Sequence, residues 1–167
     1  MLKDMEPADV QGDYRTEVLQ LHGIGFRRVL VTEEEVPYPD GRLIVSCTDL
    51  EGVITHANRS FVDMSGYTKE ELIGAPHSIL RHPDMPKAAF QELWATVQAG
   101  EIWQGHVKNL RKDGRYYWVK ATVIPNVRAG RVVGYTSVRR KPSRRRVEEC
   151  IALYARMLEQ ENKETRG

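Results

Sequence analysis

Apolar residues recur with a helical period near both ends of the chain. Residues 13–30 place Tyr14, Val18 and Leu21 at helical spacing, with polar residues at most other positions. The segment RVEECIALYARMLEQENKE carries apolar residues at a and d spacing among charged ones. These residues are Val147, Ile151, Tyr154 and Leu158. Both ends are therefore predicted to be amphipathic helices, each with an apolar stripe that needs a partner surface.

Between these ends, the pattern changes to short strands and short helices. The segments RLIVSCT and VITHAN are strand-like and are separated by the turn residues DLEG, which predicts a hairpin. Asn58 occupies the N-cap position of a short helix, and Thr68 with Glu71 forms a capping box for a second. A longer helix is predicted from Pro86, which suits a first helical turn, to the residue before Gly100.

The last part of the central region predicts three consecutive strands. WQGHVKNLRKDGRYYWVKATVIP reads as two long strands joined at an Asp113-Gly114 turn, and GRVVGYTSVRR as a third. Short connections imply antiparallel pairing, so we predict an α+β domain with helices on one face of the sheet. We divide the chain into an N-terminal helix or cap (residues 1–35), a central domain (36–140), and a basic linker with a C-terminal helix (141–167).

Composition and charge narrow the class of protein. A chain of 167 residues with 41% hydrophobic residues is large enough for one ordinary core. We expect no membrane span and no secretory signal, because the apolar runs are short and the start is charged. Cys47 and Cys150 match no ligand spacing, which favours reduced thiols in a cytoplasmic protein. The basic run RRKPSRRR lacks interleaved aromatic residues, which favours a solvated linker over nucleic-acid binding.

One short polar segment raises the question of function. PHSILRHPDMPKAAF, residues 76–90, gathers two histidines, an arginine, an aspartate and three prolines between predicted helices. Such a segment fits a turn, a metal site, a catalytic pocket or the wall of a cofactor cavity. The spacing of His77, His82, Asp84 and His106 matches no common zinc or di-iron arrangement. Without a nucleophile elbow or a phosphate-binding glycine loop, the chain is not expected to be an enzyme.

The predicted elements and several motifs together resemble a known fold. Their order, with TDLEGVITHANRSFVDMSGY, EELIG and KNLRKDGRYYWV, resembles the PAS fold over roughly residues 36–140. RHPDMPKAAFQELW, followed by GEIWQGHVKN, is similar to the PAS domains of aerotaxis receptors. It is less closely similar to the flavin-binding PAS domain of nitrogen-fixation redox regulators. The resemblance implies a five-stranded antiparallel sheet, noncovalently bound FAD and a role in redox or oxygen sensing.

The resemblance also assigns candidate cofactor-binding residues. The Arg, His and Asp that support FAD binding in the aerotaxis family match Arg81, His82 and Asp84 of this chain. Arg81 would meet an electron-rich or phosphate part of the cofactor, and His82 would donate to a carbonyl or stack. Asp84 would hold one of these two in place, although a helix cap before Pro86 explains it equally well.

Three further residues are candidates on physical grounds. Trp103, placed just before a strand taken as central, would stack on a flat ring or else serve as a core aromatic. Asn109 shares a strand face with Val107 and needs a hydrogen-bond partner, which a flavin edge or a backbone group would supply. Asn58 is either a helix cap or a cofactor contact.

Two alternatives to flavin stay open. Haem b would bind through His77 or His82 as its axial ligand. A cofactor-free module would fill the cavity with its own side chains and serve in dimerisation. A light-driven covalent flavin adduct is disfavoured, because no cysteine occurs between Ala57 and Phe90. We expect a homodimer through the two terminal helices and a signal that passes to a downstream signalling protein.

Overall fold

The computed structural model describes residues 2–166. The strands are β1 (Arg15–Leu21), β2 (Gly25–Val31), β3 (Ile44–Thr48), β4 (Ile54–Ala57), β5 (Trp103–Leu110), β6 (Tyr116–Arg128) and β7 (Arg131–Arg140). The α-helices are α1 (Arg59–Ser65), α2 (Lys69–Leu72), α3 (Lys87–Gln98) and α4 (Arg144–Arg166), with 3-10 turns at Pro7–Asp9 and His77–Leu80. None of the helices in this range has the length and hydropathy of a membrane span.

Strands β3 to β7 form one antiparallel sheet in the order β4-β3-β7-β6-β5. Helices α1, α2 and α3 and the second 3-10 turn pack on one face, which we call the inner face. Helix α4 packs against β5 and β6 on the opposite, outer face, where the Tyr154 ring stacks on Trp118. The predicted α+β architecture, with five antiparallel strands and helices on one face, is confirmed.

Local sequence signals correctly mark the helix ends. Asn58 begins α1, where its Oδ1 accepts from the Phe61 amide at 3.0 Å, and Gly66 ends it with a φ of 76°. Before α2, the Glu71 amide donates to the Thr68 hydroxyl at 3.1 Å, and the Thr68 amide donates to the Glu71 carboxylate at 3.0 Å. The predicted capping box is therefore present.

The hydrophobic core fills the space between the inner face and the helical layer. Fully burying a large apolar side chain stabilises the fold by about 1.5–3 kcal/mol, so this layer accounts for most of the driving force for folding. Its best-buried members are Ile44, Ile54, Phe61, Leu72, Leu80, Val97, Tyr117 and Val119.

The predicted N-terminal amphipathic helix is wrong, because β1 and β2 form an antiparallel hairpin there. Val18, which belonged to the supposed apolar stripe, is 59% exposed. Gly23 and Gly25 adopt φ values of 74° and 107°, which a right-handed helix excludes. The glycines of HGIG are a turn signal that outweighs the accidental helical spacing around them.

The C-terminal helix is confirmed, but it begins inside the predicted basic linker. Residues 141–143 alone connect β7 to α4, and the arginines that follow form the first helical turn. Arg144 pairs with Glu35 at 2.9 Å, and Arg145 pairs with Glu149 at 3.3 Å on the same helix. Neighbouring carboxylates thus offset the basic charge at this helix start, where the helix dipole disfavours it.

Candidate cofactor site

The pairing register places two candidate residues on the inner face. Directly paired residues of antiparallel strands point to the same side of a sheet. Trp103 pairs with Val123 and Asn109 pairs with Tyr117, and both partners belong to the buried core. Trp103 and Asn109 therefore face the helical layer. However, β5 is an edge strand and not a central one, so both residues lie at the border of the sheet.

The polar segment singled out in the sequence runs along this border. We call residues 77–86 the wall segment. It begins with the 3-10 turn His77–Leu80, after which the backbone of Arg81 forms an isolated antiparallel bridge with Asn109. The structure thus brings Arg81 and its neighbour His82 directly beside Asn109, as a cofactor wall requires.

Arg81 is held with its charge in a largely apolar setting. Its guanidinium carbon lies 4.0 Å from the centroid of the Phe90 ring. Burial lowers the pKa of Arg81 to about 10, which still leaves the side chain charged at neutral pH. Its Nε is buried and has no hydrogen-bond partner within residues 2–166.

His82 is fully buried in the wall segment. Its Nδ1 accepts a hydrogen bond from the Asp84 amide at 3.0 Å, so the proton of the neutral ring is on Nε2. Burial, followed by the charge of Lys108, lowers the pKa of His82 well below its ordinary value. Nε2 is therefore a buried donor, and it has no partner in the described part of the chain.

Asp84 takes part in ion pairs on the outside of the wall segment. Its carboxylate accepts from Lys108 Nζ at 2.9 Å and lies 2.8 Å from an Nη atom of Arg15 in β1. Burial opposes ionisation, but the hydrogen bond to Lys108 and the charge of Arg15 hold the pKa of Asp84 below its usual range. The alternative of a helix cap is wrong, because Glu161 of α4 accepts from the first amides of α3 instead.

Trp103 lies flat against its own strand. A Cβ atom built on Gly105 would stand 2.4 Å from Cη2 of the indole, so the ring occupies the space that any side chain at Gly105 would fill. The indole Nε1 is buried without a partner among residues 2–166. The geometry thus combines a flat aromatic surface with an unsatisfied donor.

Asn58 has a structural role at the start of α1. Besides capping that helix, its Oδ1 accepts from the Val45 amide at 3.1 Å, and its Nδ2 donates to the Leu43 carbonyl at 2.9 Å. Its amide thereby fastens α1 to β3. A cofactor contact for Asn58 stays a prediction.

Sequence reasoning missed a polar cluster centred on Arg139. This side chain is 2% exposed, and its guanidinium lies 4.5 Å from the centroid of the Phe61 ring. One Nη atom donates to Ser46 Oγ at 2.6 Å, and the other lies 3.0 Å from His77 Nε2. Burial lowers the pKa of Arg139 to about 10. The signal available in the sequence was an arginine on the inward-facing alternation of β7, with Tyr135 and Ser137 before it.

Six buried polar atoms of the wall segment and the inner face have no hydrogen-bond partner within residues 2–166. Most buried polar groups in folded proteins are hydrogen-bonded, so a cluster of exceptions calls for an explanation. Four of the exceptions are N–H donors, which suit a ligand with carbonyl oxygens and unprotonated ring nitrogens such as the polar edge of a flavin. Within residues 2–166 the atoms are Ser78 Oγ, Arg81 Nε, His82 Nε2, Trp103 Nε1, Tyr117 Oη and Arg139 Nε.

The two histidines proposed as haem ligands are not equivalent. An arginine only donates, so His77 Nε2 must use its lone pair to accept from Arg139. Burial, then the charge of Arg139, lowers the pKa of His77 to about 3, which keeps the ring neutral. His82 Nε2 has no partner within residues 2–166, but it carries the ring proton while Nδ1 accepts from the Asp84 amide, so binding iron through this atom would require the other tautomer.

The comparisons with known proteins agree with the fold. The sequence profile described as PAS fold matches residues 54–139, just over half of the chain. The chain belongs to the PAS fold family. A solved PAS domain from Colwellia psychrerythraea superposes with a TM-score of 0.55 and 28% identity, covering 60% of this chain and 86% of that one.

Two curated relatives confirm the resemblance found in the motifs. The chain is 48% identical over 124 residues, 74% of its length, to the aerotaxis receptor of Escherichia coli (strain K12), of which the match covers 24%. It is 31% identical over 81 residues, 48% of its length, to the nitrogen fixation regulatory protein of Klebsiella pneumoniae, of which the match covers 16%. This PAS chain therefore spans about a quarter or less of the length of these relatives.

Proposed function

We propose that this PAS chain binds FAD noncovalently between the inner face and the helical layer, and reports the redox state of its surroundings without turning over a substrate. The observation that carries the proposal is the set of buried donors that lack a partner. Leaving such a donor unpaired costs about 1–3 kcal/mol, which a ligand with well-placed acceptors recovers. The similarity to an aerotaxis receptor supports FAD as that ligand.

The residues on the border of the sheet suggest how a flat ring would be held. Bound flavin supplies reversible uptake of electrons and protons. Trp103 would swing off Gly105 and stack on the ring, while Arg81 and His82 would donate to its polar edge. Asn109 carries both a donor and an acceptor, so its amide would turn over when an acceptor on the ring becomes a donor.

The N-terminal hairpin is one element through which a structural change at the cofactor would be transmitted. Arg15 of β1 pairs with Asp84 of the wall segment at 2.8 Å. Arg27 of β2 is buried, and it donates to the Ile79 carbonyl at 2.9 Å and to the Tyr67 hydroxyl at 3.1 Å. A displacement of the wall segment would therefore move the hairpin with it.

Helix α4 is a second element through which such a change would be transmitted. The Glu161 carboxylate accepts from the Lys87 amide at 3.0 Å and from the Ala88 amide at 3.1 Å, directly after the wall segment. Tyr154 donates to the His106 carbonyl of β5 at 2.7 Å. Both contacts join α4 to elements that border the pocket.

We further propose that residues 36–140 are the sensing unit of a cytoplasmic homodimer that signals to a downstream protein. The segments on either side would form the dimer contact, the hairpin in place of the expected helix. Their exposed apolar side chains need a partner surface. These are Val18, Phe26, Ile151 and Leu153.

An absorption spectrum of the purified chain, before and after dithionite, tests the proposed cofactor. Bound flavin gives a yellow protein with two bands that bleach on reduction. A colourless protein that takes up no FAD on reconstitution would refute the proposal.

Substitution tests the pocket assignment. Arg81→Ala and Trp103→Ala should release flavin and leave the circular dichroism spectrum of the domain unchanged. Arg59→Ala, at a side chain that is 85% exposed, is the matched control and should retain flavin. Full flavin occupancy in both pocket variants would contradict the assignment of this site.

Haem b is the second candidate, and it would bind through His82 Nε2 in the tautomer that leaves this atom unprotonated. It predicts a red protein with one intense band, which His82→Ala would abolish and His77→Ala would leave in place. The same purified sample therefore separates the two cofactors.

A further inference from the structure

Arg139 differs from the other buried arginines of the domain, Arg27 and Arg111, in how its guanidinium is satisfied. Arg111 forms an ion pair with Asp113. All three guanidinium nitrogens of Arg27 donate to protein acceptors, which are two carbonyls and a tyrosine hydroxyl. Arg139 makes no ion pair within residues 2–166, and its Nε has no partner at all.

The surroundings of Arg139 carry no compensating charge. Its two side-chain partners are the hydroxyl of Ser46 and the ring of His77, which accepts and is therefore neutral. Phe61 and Tyr117 complete a buried setting without a carboxylate. An uncompensated charge is unfavourable in such a place, so a bound group that balances it is expected.

The row of the sheet that holds Arg139 carries small residues on the side toward β5. Register pairs Gly105 with Ala121, Ala121 with Arg139, and Arg139 with Ile44 across four strands. The two positions on the β5 side of Arg139 thus carry the smallest side chains, and the indole of Trp103 covers Gly105. A ring that displaced this indole would lie on a shallow floor, with the guanidinium at its rim.

We propose that Arg139 is the cation of the flavin site, which binds the polar edge of the ring and stabilises its reduced form. This inference rests on the proposed function and adds a residue and a role to it. Uptake of two electrons and one proton from a reductant leaves one added negative charge on the ring. A fixed positive charge in a low-dielectric interior favours that charge and raises the reduction potential. Ser46 and His77 are positioning residues that hold the guanidinium.

The potential of the bound flavin is the decisive measurement. Arg139→Gln and the neighbouring, exposed Arg140→Gln remove the same formal charge, one inside the pocket and one outside. At a fixed potential, Arg139→Gln should lower the ratio of reduced to oxidised flavin at least tenfold, about 30 mV for two electrons. Arg140→Gln should change it less than threefold. Arg139→Lys keeps the charge and should recover most of the shift.

Flavin retention and apoprotein stability complete the test. If Arg139→Gln loses flavin, the inference is supported provided that the apoprotein keeps its fold. Apoprotein Arg139→Met should be at least as stable to heat as the wild-type apoprotein, because it removes an uncompensated charge. A clear loss of apoprotein stability would instead identify Arg139 as a structural residue and overturn the inference.

The failure of this inference is distinguishable from the failure of the proposed function. A wild-type chain that takes up no flavin refutes both. A wild-type chain that binds flavin, with Arg139→Gln equal to it in potential and retention, refutes the role of Arg139 alone.

Discussion

The β5–β6 turn and the interior below the helical layer each bury an arginine, but only the arginine at the turn has a carboxylate as its partner. At the turn, Arg111 lies 3.1 Å from the Asp113 carboxylate, which Arg115 shares at 2.9 Å. In the interior, Arg139 is held by a hydroxyl and a neutral imidazole. At the turn, the buried guanidinium is thus balanced by a counter-charge, whose removal would leave it unpaired. Within residues 2–166 the interior has no such ion pair, which is the arrangement expected if its polar groups bind the proposed cofactor.

The largest expected effect is at the paired turn. Asp113→Asn should destabilise the domain by about 2 kcal/mol, because Arg111 would lose its counter-charge while 9% exposed. Urea unfolding measures the change. Asp63→Asn, at a 44% exposed carboxylate in surface ion pairs, should stay within about 0.5 kcal/mol. Equal effects of the two substitutions would show that the ion pair at the turn contributes no more to stability than an exposed ion pair at the surface.

The pH dependence of stability separates the two regions further. The unfolded chain protonates His77 near pH 6.5, whereas burial holds its folded pKa at about 3. The unfolded state therefore binds the extra proton, so the contribution of His77 is complete above pH 6.5 and is lost as the pH falls toward 3. Asp113, with a pKa of about 2, loses its contribution only below about pH 4.

Urea unfolding at two pH values measures how much His77 contributes to the free energy of unfolding. We expect a loss of about 1–2 kcal/mol between pH 7 and pH 5 from His77. His77→Gln should make this part of the profile less steep, leaving the part that comes from buried His82, while His22→Gln, at an exposed residue, should leave the profile unchanged. A profile that is flat in the wild type would show that the imidazole is accessible to protons in the folded state.

The contact of Glu161 with α3 should contribute about 1 kcal/mol, in the range of a helix cap. Glu161→Gln weakens it, and amide exchange at Lys87 and Ala88 should accelerate. Glu159→Gln, which breaks an exposed pair with Lys163 on the same helix, is the control. Unchanged exchange at both amides would show that α4 does not hold the start of α3.

Gly105→Ala should have the smallest effect on stability, below about 1 kcal/mol. The added methyl group would meet the far end of the Trp103 side chain and not the backbone, so a shift of the indole alone would relieve the contact. Tryptophan emission should shift, and flavin retention should fall because the floor beside Arg139 is raised. Gln104→Ala, at the exposed neighbouring position, should change neither property.

Much of the fold was readable from local chemistry. Turn and capping residues act over three or four positions, so Asn58 and the Thr68–Glu71 box marked helix starts correctly. The N-terminal hairpin was missed because seven-residue strands with scattered apolar residues imitate a helical stripe. The glycines in HGIG held the decisive information.

Candidate site residues could be predicted from the sequence only where they belong to a family motif. The resemblance pointed to Arg81 and His82, which the structure places beside Asn109. The cluster of Arg139, Ser46 and His77 depends on strand register and on a turn that returns from elsewhere in the chain. Such pairings are not encoded in spacing, and the same holds for Glu161, which reaches back 74 residues to Lys87.

The position of Glu161 makes the start of α3, next to the wall segment, depend on the rotation of α4 about its axis. Successive residues of an α-helix are about 100° apart around its axis. A twist of α4 by one residue would turn this carboxylate away from the amides of α3 and bring the uncharged side chain of Gln160 or Asn162 toward them. A partner that rotates the C-terminal part of α4 would then displace the wall segment. Conversely, a displacement of the wall segment by the proposed cofactor would exert a torque on α4.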